Sequence, residues 1–252
     1  VDVPVIHAQN IKDPNQAKRI LEAGYVDFVG MTRAHIADPH IIAKIKMNQV
    51  DQIRQCVGAN YCIDRQYMGL DVLCIQNAAT SREYMGLPHI IEKTEGPIRN
   101  VVIIGGGAGG LEAARVAAER GHQVTLVEMA EQLGGQINIA AKAPQRDQMA
   151  GITRWLAMEV ERLGVDIRLG TQANVDMIRD LKPDVCILAV GGTPFLTQNP
   201  HWGAEEGLVV STWDILNGTV EPGKNVLIYD TICEFSGMSA ADYLASKGSL
   251  VE

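Results

Sequence analysis

Short apolar runs alternate with stretches of helical period from the start of the chain. Val3 to Ala8 is a short apolar run. A turn follows, and Asp13-Pro14 opens a helix to about Ala23. Asp13 is its N-cap, Pro14 takes the first helical position and Gly24 ends it. Val26 to Met31 reads as a second strand, and Asp38-Pro39 repeats the cap signal for a helix to about Met47. These are two β/α units in series with short connections, as in a parallel sheet or barrel. Two units cannot close a barrel, which needs eight.

Residues 49 to 98 have little regular pattern, and Pro88 and Gly96-Pro97 mark a linker. From Arg99 the pattern changes. Val101 to Ile104 is a buried strand, Gly109 to Arg120 a helix with Gly121 at its C-terminal cap, and Gln123 to Glu128 the next strand. Met149, Ile152, Trp155, Leu156, Val160 and Leu163 recur at helical spacing, which predicts an amphipathic helix over Asp147 to Leu163 with Trp155 in the core. Strands are expected at Asp166–Leu169, Asp184–Ala189 and Asn225–Tyr229, and a last helix at about Ser236 to Ser246. Ser249 to Glu252 reads as a strand just begun, and the chain has no initiator methionine, so it is expected to be a piece of a longer one.

Composition narrows the class. With 46% hydrophobic and 21% charged residues, the 252-residue chain suits soluble globular domains. No apolar run reaches the ~18 to 20 residues that cross a bilayer, and no secretory signal is visible. A net charge of −8 argues against a nucleic-acid partner. Of the five cysteines, Cys56, Cys62 and Cys74 lie close together, while Cys186 and Cys233 are isolated. That distribution suits a reducing compartment, the cytoplasm, and a metal site better than a disulfide framework.

Gly105, Gly107 and Gly110 form G-x-G-x-x-G after a strand and at the opening of a helix, answered by Glu128 at the end of the next strand. In that context the pattern is a dinucleotide fingerprint. Gly105 permits the turn, Gly107 lets the backbone approach a pyrophosphate, and Gly110 lets helix and strand pack closely. The helix N-terminus offers N–H groups to the phosphates. Glu128 can accept from a ribose hydroxyl, which favours FAD or NAD over a 2′-phosphorylated ligand. Gly134-Gly135-Gln136 and Gly191-Gly192-Thr193-Pro194 are further glycine turns, either simple turns or cofactor contacts. Cys56-x2-Ala59-x2-Cys62-x11-Cys74 sets three soft sulfur ligands at short spacing, as iron–sulfur and zinc sites do. Three buried cysteines in an irregular segment would look the same. Arg33 follows the second strand, where barrel turns commonly hold a phosphate; a surface arginine is the plainer reading. His7, His35, His122 and His201 have no partners at metal or catalytic spacing, and Tyr61 and Tyr67 are placed to shield the cysteines.

The order of these motifs resembles the iron–sulfur flavoproteins related to old yellow enzyme, the group of the trimethylamine-dehydrogenase and 2,4-dienoyl-CoA-reductase type. The stretches that carry it are Val26 to Arg33 with Ile36 to Pro39, Ile53 to Gly58, Cys74 to Ala78, the Gly105 fingerprint and Gly134-Gly135-Gln136. The chain is also similar to the subgroup that demethylates small methylated amines and betaines such as dimethylglycine or N-methylproline.

The resemblance implies an α/β architecture: residues 1–48 as the last two units of an FMN-binding (β/α)8 barrel, 49–98 as an iron–sulfur-type linker, 99–222 as a Rossmann-like FAD- or ADP-binding domain, and 223–252 as the start of a second nucleotide-binding domain. Arg33 would contact the FMN phosphate, with Asn10 nearby; relatives often carry arginine where Asn10 stands. Gly135, Gln136 and Gly192 would touch the adenine cofactor. Cys56, Cys62 and Cys74 match three of four cluster ligands, and Ala59 stands at the fourth. A three-iron cluster, a borrowed ligand and loss of the cluster all stay open. The second nucleotide domain lacks G-x-G-x-x-G, and Gly237 would supply its close helix approach. Catalytic residues would lie on barrel strands outside this chain. The implied activity is oxidative demethylation of a small-molecule substrate, with an electron-transfer flavoprotein as acceptor. An NAD(P)H-dependent enoyl or dienoyl reductase, or a cofactor-binding fragment inert alone, uses the same parts. A homo-oligomer is expected.

Overall fold

The computed structural model describes residues 2–194, 196, 207–230 and 235–252; His201 and Cys233 lie outside them. Three parallel sheets follow one another along the chain. The first pairs β1 (Ile6–Ala8) with β2 (Phe28–Gly30). Between them runs α1 (Pro14–Glu22), capped as expected, with the Asp13 carboxylate accepting from Asn15 N. Both strands are shorter than their apolar runs, because only these residues share the ladder.

Two helices then depart from expectation. Arg33 lies in the first turn of α2 (Thr32–Ala37), not in a turn after a strand. Asp38 does not cap α3 (Ile41–Lys46), whose N-cap is His40. Its buried carboxylate instead accepts from His40 N at 3.0 Å, from Arg54 N at 2.9 Å and from Lys44 Nζ at 2.6 Å. Burial pushes this carboxyl up, but Lys44 and the two backbone donors outweigh it and hold it below the ordinary carboxylate value. Ile11, Met31, Ala34, Ile41 and Ile53 close a small core around this corner.

The region expected to be irregular contains a helix, α4 (Tyr61–Tyr67), entered from Asn60 in the left-handed conformation. Tyr67 is 88% exposed and does not shield the thiols, whereas Tyr61 is 42% exposed with Arg65 over its ring.

The second sheet has the order β5-β4-β3-β6, from β3 (Asn100–Ile104), β4 (Gln123–Val127), β5 (Asp166–Arg168) and β6 (Val185–Leu188). Helix α5 (Ala108–Glu119) crosses from β3 to β4. Successive residues of β3 face opposite sides. Val101 and Ile103 pack with Leu111 of α5 and with Ile152, Trp155, Leu156 and Val160 of α7 (Ala150–Arg162). Val102 and Ile104 pack on the other face with Met177, Ile178 and Leu181 of α8 (Val175–Leu181). Each fully buried Ile, Leu or Val contributes roughly 1.5–3 kcal/mol. The helix expected from Asp147 begins as a 3-10 turn and becomes α-helical at Ala150.

Two short helices, α6 (Gln136–Ala140) and α9 (Thr212–Asn217), complete this unit. The third sheet pairs β7 (Asn225–Val226) with β8 (Leu250–Val251), linked through α10 (Phe235–Ser246). The assigned strand covers only the first two residues of the one expected there, although Ile228 N still donates to Glu252 O at 2.7 Å.

The cysteine segment is fastened to the second sheet's helices. Val57 and Ala59 pack into its core. Trp155 donates its indole N–H to Gln52 O at 3.0 Å, and the Arg54 guanidinium lies 4.2 Å from the Trp155 ring centre while donating to Gln76 O at 2.7 Å. No helix among the described residues is long and apolar enough to cross a membrane.

Candidate functional site: a glycine cradle, a cysteine segment and a cationic cleft

The turn after β3 is built from constraints on its glycines. Gly105 has φ +106°, and a Cβ there would lie 2.3 Å from Ala189 O. At Gly110 a Cβ would lie 1.9 Å from Gly105 O, so the helix backbone seats directly on the turn. Gly107, the N-cap of α5, differs: nothing lies within 4 Å of a Cβ built there. Two glycines are required by the protein's own packing, and the third faces open space at a helix N-terminus. Free N–H groups and the positive dipole end there suit a pyrophosphate.

Three loops gather around that space. Gly134 bridges Gly107 in parallel, with Gly134 N donating to Gly106 O at 2.8 Å. Gly135, at φ +50°, would place a Cβ 3.3 Å from Gly107 Cα. Gln136 donates its side-chain amide to Gly192 O at 3.1 Å. Thus Gly105, Gly107, Gly110, Gly135, Gln136 and Gly192 come together, although they span nearly ninety positions of sequence. Glu128 closes one side: its carboxylate accepts from Gly106 N at 2.5 Å and Ala130 N at 2.7 Å. It is therefore fixed beside the turn with acceptor capacity remaining. The cradle fits an adenine dinucleotide by shape and by donor chemistry.

The C-terminal unit is arranged otherwise. A Cβ on Gly237 of α10 would lie 2.4 Å from a carboxylate oxygen of Asp230. Gly237 does admit a close approach, but of an acidic side chain and not of a backbone turn.

The three clustered cysteines are all half-buried and free of disulfides. Burial, and then the charges of Cys56 and Cys74, push the Cys62 thiol up. The thiols are thus electrostatic neighbours. Among the described residues, however, no three His, Cys, Asp or Glu side chains are grouped as a single metal ion needs. The Ala59 methyl packs against the core of the second sheet. A four-thiolate site therefore does not fit this segment.

Arg33 and Asn10 do meet. Arg33 donates to Asn10 Oδ1 at 3.2 Å and to Asn60 Oδ1 at 2.9 Å. They line a cleft of about 300 Å³ with Lys12, Arg146 and Gln148. Sequence patterns had not marked Lys12, Asn60 or Arg146, which carry no motif and converge only through tertiary packing. Of the histidines taken as structural or exposed, His122 accepts from Arg99 N at 3.3 Å.

Known proteins extend this picture. The family model for pyridine nucleotide-disulphide oxidoreductases matches residues 99–221. The chain is 73% identical to the N,N-dimethylglycine/sarcosine dehydrogenase of Chromohalobacter salexigens over 100% of its own length and 37% of that protein's. It is 47% identical to a probable N-methylproline demethylase of Rhizobium meliloti, covering 99% of this chain and 36% of that one. Among solved structures, a 6-hydroxypseudooxynicotine amine oxidase from Pseudomonas geniculata N1 superposes with a TM-score of 0.91 at 26% identity, over 99% of this chain and 39% of that one. The chain thus spans little more than a third of the length of these relatives.

Proposed function

Because this chain is homologous along its length to a dimethylglycine/sarcosine dehydrogenase and an N-methylproline demethylase, we propose that it is part of a flavin-dependent oxidoreductase that oxidatively demethylates a small methylated amine or betaine. In this reading residues 1–48 are the last two β/α units of an FMN-binding barrel. Ile6 and Phe28 stay exposed on the β1–β2 pair, apolar surface that neighbouring barrel strands would cover. Arg33 and Asn10 hold the FMN phosphate end. Residues 99–222 hold FAD or ADP, with the pyrophosphate over Gly107 and the ribose at Glu128. Residues 223–252 begin a second nucleotide-type domain. The oxidised N-methyl carbon leaves as formaldehyde after hydrolysis of the substrate iminium. Bound FMN supplies the two-electron acceptor for that oxidation. The electrons leave to an electron-transfer flavoprotein in a cytoplasmic homo-oligomer. On the cysteines, Cys56, Cys62 and Cys74 are proposed as a three-thiolate iron–sulfur-type site, and no step is routed through it.

The observation that carries the reading is the meeting of three glycine loops around the open Gly107 turn, on a chain 73% identical to an N,N-dimethylglycine/sarcosine dehydrogenase. The test uses the full-length protein under anaerobic conditions with dimethylglycine, sarcosine and N-methylproline. The expected result is flavin bleaching and one formaldehyde per two electrons. Bleaching by NAD(P)H with enoyl reduction, and none by any methylated amine, would replace this reading with the reductase one.

A further inference from the structure

Three cations share one cleft without a carboxylate between them. Lys12, Arg33 and Arg146 line it together with the amides of Asn10, Asn60 and Gln148, and no Asp or Glu is part of the lining. Arg33 is held by two neutral amide oxygens. Lys12 donates to the Gln148 amide oxygen. The Arg146 guanidinium lies 4.4 Å from the ring centre of Phe235. Among the described residues none of the three forms an ion pair, whereas the buried Arg115, the half-buried Lys44 and the exposed Arg162 all do. Carboxylates are not scarce, since the chain has 30 acidic residues against 22 basic ones.

The walls of the cleft are also specialised. Asn10, Asn60 and Gln145 hold left-handed backbone at φ 52°, 61° and 58°; asparagine takes it readily, and Gln145 is the uncommon one of the three. A Cβ on Gly58 would come within 3.3 Å of Lys12 Nζ, so the glycine leaves room for the ammonium.

We propose that this cleft is a phosphate-monoester site in which Lys12 and Arg146 act with Arg33, and that its occupant is the terminal phosphate of FMN. The choice of occupant rests on the FMN reading of Arg33 given above. The three cations come from separate segments: Lys12 precedes α1, Arg33 lies in α2, and Arg146 stands between α6 and α7. Arg146 is also stacked on the first residue of α10. The phosphate seat is therefore complete only when the barrel-type units and the nucleotide-binding unit are docked. Guanidinium forks suit a phosphate, and the ammonium adds a point charge.

The test uses full-length protein carrying Arg33→Met, Lys12→Met, Arg146→Met or Arg146→Lys. FMN and FAD contents are measured after purification, and FMN affinity is measured on deflavinated protein by fluorescence quenching. Arg146→Met and Lys12→Met should each weaken FMN binding by ~10-fold or more, the range for losing a charge-assisted bond, with FAD content unchanged. Arg146→Lys keeps the charge but not the fork, so it should lose clearly less FMN affinity than Arg146→Met. Unchanged FMN affinity in Arg146→Met and Lys12→Met, with loss in Arg33→Met, would overturn the three-cation site and leave the Arg33 reading intact. Unchanged affinity in all three methionine variants would overturn both. Equal loss in Arg146→Lys, or loss of FAD together with FMN, would show a packing role and also overturn the proposal. Inorganic phosphate should compete with FMN in wild-type protein; binding of phosphate without competition would place an anion in the cleft but refute FMN as its occupant.

Discussion

The two strand–helix–strand units β3–α5–β4 and β7–α10–β8 share a parallel frame and differ in what meets the helix. In the first, Gly110 seats on the carbonyl of Gly105, backbone on backbone, and the Gly107 turn is left open. In the second, Gly237 seats against the carboxylate of Asp230. An acidic group near the start of a helix is favourable to the helix, but it repels a diphosphate. The same fold element thus seats a backbone turn on its helix in one place and an acidic side chain in the other. A shared strand–helix–strand frame therefore does not fix what meets the helix; the residue opposite its glycine does.

Gly110→Val should break the first unit most severely. Its Cβ would stand 1.9 Å from a backbone oxygen that cannot move without the turn. A loss of stability above ~4 kcal/mol is expected, read by chemical denaturation; a change below ~1 kcal/mol would mean the close seat is not structural. Glu128→Ala ranks next. It removes acceptors for Gly106 N and Ala130 N as well as for a ribose, so FAD affinity should fall ~10-fold or more. Full FAD content in this variant would show that the ribose lies elsewhere.

Gly237→Ala should cost less than Gly110→Val, ~1–3 kcal/mol, because it meets a side chain and not a carbonyl. If it matched Gly110→Val in severity, the two contacts would be mechanically alike. The smallest effect is expected from Asp230→Asn. Removing one charge should leave FAD content untouched and raise weak NADH binding by no more than a few-fold, measured by nucleotide fluorescence. Tight NADH binding to the wild-type protein, displaced by substitutions at Gly237, would refute the contrast.

The first unit was legible in the sequence because its signals are local. Val101 to Ile104 is a continuous apolar run, the glycines follow at fixed offsets, and Glu128 ends the next strand. Trp155 also read correctly as core. The cation over its face, Arg54, was not visible, because that contact spans a hundred residues. Asp38-Pro39 looked like a cap, yet Asp38 serves Arg54 N and Lys44 across the corner. Helix α4 was missed because Asn60 enters it in a left-handed turn, which no sequence pattern marks. Helix α9 carried a readable signal that was passed over: Ser211 and Asp214 form a reciprocal capping box. The cationic cleft had no signal, since Lys12, Arg33 and Arg146 become neighbours only in the folded chain.

Gly107→Val is the most direct test that the first unit, through its open turn, holds an adenine dinucleotide. Nothing lies within 4 Å of a Cβ there, so the added side chain starts in the open space assigned to the pyrophosphate. Adenine-containing cofactor extracted from purified full-length protein should fall from one per chain to less than about a tenth, while the denaturation midpoint of the cofactor-free protein stays at the wild-type value. Full adenine cofactor content in the Gly107→Val protein would contradict the account.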